Sequence, residues 1–244
     1  WGTRLMPLTT SMNKHLLPVY DEPMIFKSLA TIQRLGISEI MIVLGGHSGN
    51  SFFHLLGDGH RFGLSIRYAF QEKAGGIAEA LNLTREFVGG RNVAVILGDN
   101  VFQDSMKEHL EEFEKDEEND CYLFLKEVDN PSEFGIAWLD SDDGSITKMF
   151  EKPLNPDSNM AITGLYLYTS KVFDLIDQSI SVGGYSSRGE LEITDINRLF
   201  MESGRSKGVV IDSHWADCGT IDALLETSLL VKGWATGPWM KTNK

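Results

Sequence analysis

Apolar segments rich in β-branched residues alternate along the chain with segments of helical periodicity, and this alternation is what most constrains the fold. The apolar segments lie at 39–44 (EIMIVL), 65–70 (SIRYAF), 92–97 (NVAVIL), 121–128 (CYLFLKEV) and 162–168 (ITGLYLY). Their length and composition predict strands, and helical spacing predicts helices at 24–35, 76–87 and 105–118. We therefore expect an α/β fold, with a Rossmann-like, mostly parallel mixed sheet flanked by helices.

The predicted pattern of secondary structure changes after residue 120. Short strands, one of them at 134–139 (FGIAWL), flank a turn-forming segment at 141–145, and further helices are predicted at 170–179, 193–203 and 219–232. We interpret this half as an antiparallel or mixed extension that covers one edge of the first half. Because neither a repeat nor a low-complexity linker interrupts the chain, residues 1–244 are predicted to form a single domain.

Charge and cysteine content exclude several classes of function. The formal net charge of −13 disfavours sequence-independent binding to nucleic acid or to anionic lipid. No apolar run is long enough to cross a bilayer. The two cysteines, Cys121 and Cys218, form no disulfide framework and indicate a reducing cytoplasm. The six histidines show no metal-binding pattern, and we assign none to a metal.

An aspartate follows the third predicted strand, in VILGDN. Ligands of open α/β sheets gather at the carboxyl ends of the strands, where Gly98 allows close approach and Asp99 offers oxygen ligands to a divalent cation. The alternative is that Asp99 and Asn100 cap the next helix. Asp99 alone does not decide between these interpretations.

A second aspartate, Asp217 in HWADCGT, also ends a short apolar stretch and precedes a predicted helix. Taken by itself it fits a helix N-cap better than a metal ligand. Two aspartates at strand ends can, however, converge on one Mg²⁺, an ion that combines a few carboxylates with substrate phosphates.

Two further segments are suited to binding phosphate and a base. Lys152 in FEKP is a point charge for a phosphate, although such Glu-Lys pairs are usually surface features. The segment YAFQEKAGGIAEAL runs from a strand through two glycines into a helix N-terminus, and it is either a nucleotide cradle or only a turn. Gln71 in this segment has the donor and acceptor needed to recognise a pyrimidine edge. GGHSGN (45–50) lacks the ending of a phosphate loop, so we expect a connecting turn.

Nine segments together resemble the sugar-nucleotide pyrophosphorylases in order and spacing. They are GTRLMPLT, NKHLLPVYDEPM, QEKAGGIAEAL, LGDN, FGIA, FEKP, MAITGLYLY, RGELEITDINR and WADCGT. The resemblance covers essentially the whole chain and is strongest to members that use dTTP and glucose 1-phosphate. It implies a Mg²⁺-dependent nucleotidyltransferase that releases pyrophosphate, with a nucleotide-binding half at 1–120 and a sugar-phosphate-binding half at 121–244.

The resemblance also implies residue roles. Those assigned to the nucleotide are Gly2 and Thr3 around the triphosphate, Arg4 at the departing pyrophosphate, Lys14 as the second basic residue of that loop, Gln71 and Gly76 at the pyrimidine, and Asp99. Those assigned to the sugar phosphate are Gly135, Glu151, Lys152 and Ile162, and the metal pair is Asp99 and Asp217. Arg4, Lys14 and Lys152 are the implied catalytic residues. No general base is needed, because a sugar phosphate oxygen is already a nucleophile and catalysis rests on alignment and charge neutralisation.

The chain departs from the family pattern at its ends. The apolar first strand and further glycines of the family's signature loop are missing ahead of Trp1, and we expect a trimmed chain. A long helical tail after 219–232 is also missing, as in short members of the family. The segment 233–239 (GWATGPW) suggests a contact surface of a homo-oligomer, or else internal packing.

Two competing functions stay open. A uridylyltransferase acting on the same sugar phosphate differs by one methyl group on the base, worth about 1–3 kcal/mol of discrimination. A non-catalytic sensing subunit would keep the fold without the reaction. The presence of Asp99, Lys152 and Asp217 favours the enzyme.

Overall fold

The computed structural model describes residues 2–46 and 49–234. The chain forms two compact units. The first takes in the described residues of Trp1–Lys73, Ile96–Glu108 and Ser213–Lys244, and the second comprises Ala74–Val95 and His109–Asp212. These units interleave along the chain, whereas the sequence suggested halves that meet near residue 120. The single domain stays a prediction.

The described strands and helices follow one another in the alternation expected from the sequence. The strands are β1 (Pro18–Val19), β2 (Glu22–Pro23), β3 (Glu39–Gly45), β4 (Ser65–Gln71), β5 (Val93–Ile96), β6 (Asn100–Phe102), β7 (Cys121–Glu127), β8 (Gly135–Leu139), β9 (Ile146–Glu151), β10 (Met160–Tyr168), β11 (Ser206–Val210) and β12 (Trp215–Asp217). The α-helices are α1 (Met24–Arg34), α2 (Gly49–Leu56), α3 (Ile77–Asn82), α4 (Arg85–Val88), α5 (Lys107–Phe113), α6 (Val172–Ser181), α7 (Ile193–Glu202) and α8 (Ile221–Val231). Short 3₁₀ helices lie at Thr3–Leu5, Leu8–Thr10, Lys14–Leu16, His60–Phe62 and Pro131–Glu133.

The first unit is built on three small pairs of strands. Strands β3 and β4 are parallel, and the antiparallel pairs are β1 with β2 and β6 with β12. One apolar cluster fills the space between α1, β3, β4 and α2; its buried members are Ile25, Leu29, Ile42, Leu44, Phe52, Leu56, Leu64 and Ile66. A second cluster joins the N-terminal loop to β6 and α8, with Leu5, Leu17, Val19, Met24, Val101, Cys218, Leu224 and Val231. This second cluster holds the loop that contains Gly2–Arg4 against the strands that carry the aspartates.

The second unit is built on a mixed sheet of order β11-β7-β10-β8-β9, in which β5 also pairs with β10. Residues 121–125 of β7 are all buried, which explains the continuous apolar run in the sequence. Strand β7 pairs in parallel with β11 and antiparallel with β10. The α/β fold with a mixed sheet is confirmed, and the second of the two expected possibilities for the later half is found: its sheet is mixed, with parallel β11 and β7 beside antiparallel pairs. Parallel pairing is less frequent than the sequence suggested, because the crossover helices that it needs separate only some of the strands.

Two predicted helices differ from the structure for local reasons. The helix expected at 76–87 is split into α3 and α4, where the Thr84 hydroxyl donates to the Leu81 carbonyl oxygen at 2.7 Å. The helix expected at 105–118 ends at Phe113, and beyond it the Asp116 carboxylate accepts the backbone N–H groups of Glu118 and Asn119. Short polar side chains thus compete with the helix for backbone partners. Helix α2 was not predicted; it begins at Gly49, so the last two residues of GGHSGN are helical and not part of a connecting turn.

Most of the segment 233–239 lies outside the described residues. Trp234 is described, and it packs against the apolar cluster of α8, β6 and the N-terminal loop. The homo-oligomer stays a prediction. Across the two described stretches, 2–46 and 49–234, none of the helices has both the length and the apolar character to span a membrane.

Candidate active site

Backbone pairing within the first unit brings the two predicted metal ligands together. Strand β12 ends at Asp217, whose Cα lies opposite that of Asn100 in the antiparallel strand β6. The backbone N–H of Cys218 donates to the carbonyl oxygen of Asp99 at 2.9 Å. Two segments far apart in the sequence therefore place Asp99 and Asp217 side by side.

Neither aspartate caps a helix. Asn100, next to Asp99, begins strand β6 rather than a helix. At the start of α8 the N-cap is Thr220, whose hydroxyl oxygen accepts from the backbone N–H of Ala223 at 3.2 Å. The capping alternative is therefore wrong at both positions, and the two carboxylates need another explanation.

The two carboxylates have opposite electrostatic surroundings. Burial would raise the pKa of Asp99, but the Lys14 ammonium, which donates to Asp99 Oδ2, outweighs it and lowers the pKa to about 2. Burial and the neighbouring charge of Asp99 raise the pKa of Asp217 to about 6. A buried pair of like charges is unfavourable unless positive charge is supplied to it. The pair is therefore suited to a cation.

A neutral histidine lies beside this pair. Burial lowers the pKa of His15 to about 4, so the ring is uncharged at neutral pH. Asn13 Oδ1 accepts from the backbone N–H of His15 at 3.0 Å and lies 2.9 Å from its Nδ1. A Cβ added at Gly98 would lie 2.9 Å from His15 Cδ2. Gly98 therefore allows the ring to pack closely, a role that the sequence did not indicate.

The N-terminal loop brings two basic side chains to the aspartates. Gly2 has a φ of 73°, and its carbonyl oxygen accepts from the Thr9 hydroxyl at 2.8 Å. A Cβ at Gly2 would lie 3.3 Å from Lys14 Cβ, so Gly2 and Lys14 are neighbours, while Thr3 is exposed. A Cβ at Gly219 would lie 2.6 Å from Asp217 Oδ1 and 2.8 Å from Arg4 Nη2.

The positions of Gly2, Arg4, Lys14, Asp99 and Asp217 therefore form one cluster, which we call the acidic-pair cluster. It holds two carboxylates and two cationic side chains within one unit. Such a set can bind a polyphosphate through its cations and a divalent cation through its carboxylate oxygens.

The predicted base-recognition residues lie on different elements. Gln71 is the last residue of β4, opposite Gly45 of β3. Gly76, in the second unit, has a φ of 93°, and a Cβ there would lie 2.3 Å from the carbonyl oxygen of Leu191. Only glycine fits this backbone contact. The role of both residues toward a base stays a prediction.

A second cluster, in the second unit, contains the predicted sugar-phosphate residues. Gly135 of β8 lies opposite Glu151 of β9. A Cβ at Gly135 would lie 3.3 Å from Glu151 Oε2 and 3.8 Å from Cδ1 of Ile162, which is buried in β10. Lys152 Nζ lies 3.6 Å from Glu151 Oε1. We call Gly135, Glu151, Lys152 and Ile162 the sugar-phosphate cluster.

The backbone of Lys152 is strained. Its φ of 45° is in the left-handed region, which is uncommon for any residue except glycine and unfavourable before a proline such as Pro153. The backbone N–H of Lys152 donates to the carbonyl oxygen of Phe134 at 3.0 Å and holds this conformation. Strain of this kind concentrates at functional positions.

Three residues that contact members of these clusters escaped the sequence analysis: His15, Gly219 and Thr194, whose hydroxyl donates to Glu151 Oε2 at 2.7 Å. All three lie inside segments that resemble the pyrophosphorylases, namely NKHLLPVYDEPM, WADCGT and RGELEITDINR. The resemblance of those segments to the family could have pointed to the three residues, but it implied no role for them.

Known proteins resemble this chain over nearly all of its length. The family model described as nucleotidyl transferase matches residues 1–232. The chain belongs to the nucleotidyl transferase family. Curated relatives of this nucleotidyl transferase include glucose-1-phosphate thymidylyltransferases from Neisseria meningitidis and Mycobacterium tuberculosis. Each is 36% identical over 95% of this chain and 79% of the relative.

Solved structures agree with the fold. A Bacillus anthracis protein, assigned as a glucose-1-phosphate thymidylyltransferase and crystallised with sucrose, has a TM-score of 0.89 and 40% identity over 97% of this chain and 93% of its own. A UDP-glucose pyrophosphorylase has a TM-score of 0.77 at 22% identity over 95% of this chain, a likeness in fold alone.

Proposed function

We propose that this nucleotidyl transferase joins dTTP to glucose 1-phosphate and forms dTDP-glucose and pyrophosphate. The single observation that carries the proposal is the pair of neighbouring carboxylates of buried Asp99 and half-buried Asp217, with Lys14 and Arg4 beside it. The relatives named glucose-1-phosphate thymidylyltransferase support the choice of substrates. We also propose a cytoplasmic enzyme, because both cysteines are free thiols, which suits a reducing compartment.

The proposed reaction is an in-line substitution at phosphorus. A phosphate oxygen of glucose 1-phosphate forms a bond to the α-phosphorus of dTTP while the bond from that phosphorus to the bridging oxygen of the β-phosphate breaks. The electron pair leaves with pyrophosphate. Because the attacking oxygen is already anionic, the protein needs to align two anions and neutralise charge rather than to remove a proton.

The acidic pair fits a magnesium ion. Its donors are carboxylate oxygens, the ligands that Mg²⁺ prefers, and burial together with the charge of Asp99 raises the pKa of Asp217, so that a further positive charge would stabilise its ionised form. Among the described residues, no three histidine, cysteine or acidic side chains are grouped to hold a metal, which suits an ion that takes its other ligands from water and substrate phosphates. When bound by Asp99 and Asp217, Mg²⁺ would neutralise negative charge on the nucleotide phosphates.

The N-terminal loop and Lys14 are assigned to the triphosphate. Gly2 and Thr3 offer backbone N–H groups of a tight loop, and Arg4 stabilises the leaving pyrophosphate. Lys14, which pairs with Asp99 in the structure, also contacts the phosphates. Gln71 and Gly76 contact the pyrimidine.

The sugar-phosphate cluster is assigned to glucose 1-phosphate. Glu151 accepts hydrogen bonds from sugar hydroxyls, while Lys152 binds the phosphate and keeps the attacking oxygen in place. Gly135 and Ile162, which lie beside Glu151, are assigned to the same sugar-phosphate site.

Pyrophosphate release tests this proposal. The purified protein is given glucose 1-phosphate, Mg²⁺ and either dTTP or UTP at equal concentration. We expect turnover with dTTP to exceed turnover with UTP. A preference for UTP would make the protein a uridylyltransferase, and binding of both substrates without pyrophosphate release would make it a sensing subunit.

A further inference from the structure

We propose that Thr194 is a positioning residue for the Glu151 carboxylate and thereby sets the affinity for glucose 1-phosphate. The inference rests on the proposed function and extends it to a residue outside the sugar-phosphate cluster. It concerns one hydrogen bond between helix α7 and strand β9.

The contact is short, and its donor is buried. Thr194 Oγ1 lies 2.7 Å from Glu151 Oε2, and Thr194 is only 3% exposed. An ionised carboxylate can only accept, so the hydroxyl donates. A threonine in a helix usually bonds to a carbonyl of the preceding turn, but Thr194 is the second residue of α7 and directs its hydroxyl to β9 instead.

The bond occupies one carboxylate oxygen and leaves the other toward Lys152. Oε1 of Glu151 is the oxygen that lies 3.6 Å from Lys152 Nζ. A sugar hydroxyl bound by Glu151 and a phosphate bound by Lys152 are then held at a fixed separation. Thr194 determines that separation because it fixes the rotation of the carboxylate.

Gly135 leaves room for this hydrogen bond. A Cβ at Gly135 would lie 3.1 Å from Thr194 Oγ1 and 3.3 Å from Glu151 Oε2, closer than ordinary van der Waals contact, so any larger residue at position 135 would crowd the bond. Replacing the Thr194 hydroxyl by a methyl group would keep the shape of the side chain. It would remove the donor to Glu151 Oε2 and free the carboxylate to turn. A carboxylate that loses a buried donor turns toward another partner.

The test compares Thr194→Val, which keeps the shape, with Thr194→Ser, which keeps the hydroxyl. Binding of glucose 1-phosphate is measured by titration calorimetry, and KM for both substrates by pyrophosphate release. We expect Thr194→Val to weaken glucose 1-phosphate binding about 10-fold, equivalent to about 1.4 kcal/mol, with an unchanged KM for dTTP. Thr194→Ser should restore binding to within about 2-fold of wild type.

Thr147→Val is the matched control, since the Thr147 hydroxyl of β9 bonds to the Trp138 carbonyl oxygen and not to Glu151. Thermal melting shows whether each variant is folded, and Thr194→Ala replaces Thr194→Val if the valine variant is not. Wild-type affinity in the folded valine or alanine variant overturns the inference, as does equal loss in Thr194→Ser or equal weakening for both substrates.

Binding and turnover separate this inference from the proposed function. If the wild type binds glucose 1-phosphate but releases no pyrophosphate, the proposed reaction fails, while the calorimetric comparison still tests Thr194. If the wild type turns over and Thr194→Val binds normally, only the role of Thr194 fails. Absence of glucose 1-phosphate binding in the wild type overturns both.

Discussion

Asp217 lies directly opposite Asn100 in the antiparallel ladder between β12 and β6. The Asn100 amide donates to Asp99 Oδ1 at 3.2 Å, and its own oxygen accepts from Trp215 Nε1 at 2.7 Å. This buried asparagine thus connects the two strands and fixes the first carboxylate. The acidic pair depends on the register of two three-residue strands.

Gly219→Ala should reduce turnover about 100-fold with little loss of stability. The new Cβ would fall within 3 Å of both Asp217 Oδ1 and Arg4 Nη2, and it would displace both groups. Small misplacements at a reacting centre have effects of about this size. Gly45→Ala is the control, because a Cβ there meets nothing within 4 Å. Equal activity of the two variants in a pyrophosphate assay would show that the Arg4–Asp217 contact is not needed.

Lys152→Ala should raise KM for glucose 1-phosphate about 10- to 100-fold, because a charge-assisted hydrogen bond of about 1.5–3 kcal/mol is lost. KM for dTTP should not change. Lys115→Ala, an exposed lysine of the same unit, is the matched control. Steady-state kinetics with one substrate varied at a time provide the measurement, and a rise confined to KM for dTTP would contradict the assignment.

Asp120 should stabilise the second unit in a pH-dependent manner. Burial would raise its pKa, but bonds from Arg205 Nε at 2.7 Å, Lys171 Nζ at 3.0 Å and the Thr169 hydroxyl at 3.0 Å outweigh burial and lower it. A lowered pKa in the folded state contributes stability above the unfolded value of about 4. That contribution is lost as the pH falls through the folded value.

Asp120→Asn should therefore lower the free energy of unfolding by about 1.5–3 kcal/mol at pH 7, and the difference from wild type should shrink below about pH 4. Urea unfolding at pH 7 and pH 3.5 measures it. Asp174→Asn, on the exposed side of α6, should change little at either pH. A difference in the free energy of unfolding between Asp120→Asn and wild type that grows as the pH falls would contradict the prediction.

Local sequence predicted most elements and part of the candidate site, because these signals are local. Strands β3, β4, β7 and β10 appear as short β-branched runs, and Asp99 and Asp217 follow apolar stretches. The resemblance to the pyrophosphorylases added roles for Arg4, Lys14 and Glu151. In such segments the spacing of the apolar residues indicates both the secondary structure and the buried face.

Partners across the chain could not be predicted in the same way. The hydrogen bond between Trp215 and Asn100 spans 115 positions, and that between Thr194 and Glu151 spans 43. Periodicity shows which face of α7 is buried but not which strand it meets. Strand direction is likewise a tertiary property, so the share of antiparallel pairs was underestimated.

Formation of dTDP-glucose as a function of Mg²⁺ concentration, in wild type and Asp217→Asn, is the most direct test of the paired carboxylates. Asp222→Asn, on the exposed first turn of α8, is the control. We predict that wild type and Asp222→Asn require Mg²⁺, and that Asp217→Asn loses at least about 100-fold in turnover and needs more Mg²⁺. Full turnover by Asp217→Asn at the same Mg²⁺ concentration would contradict the account.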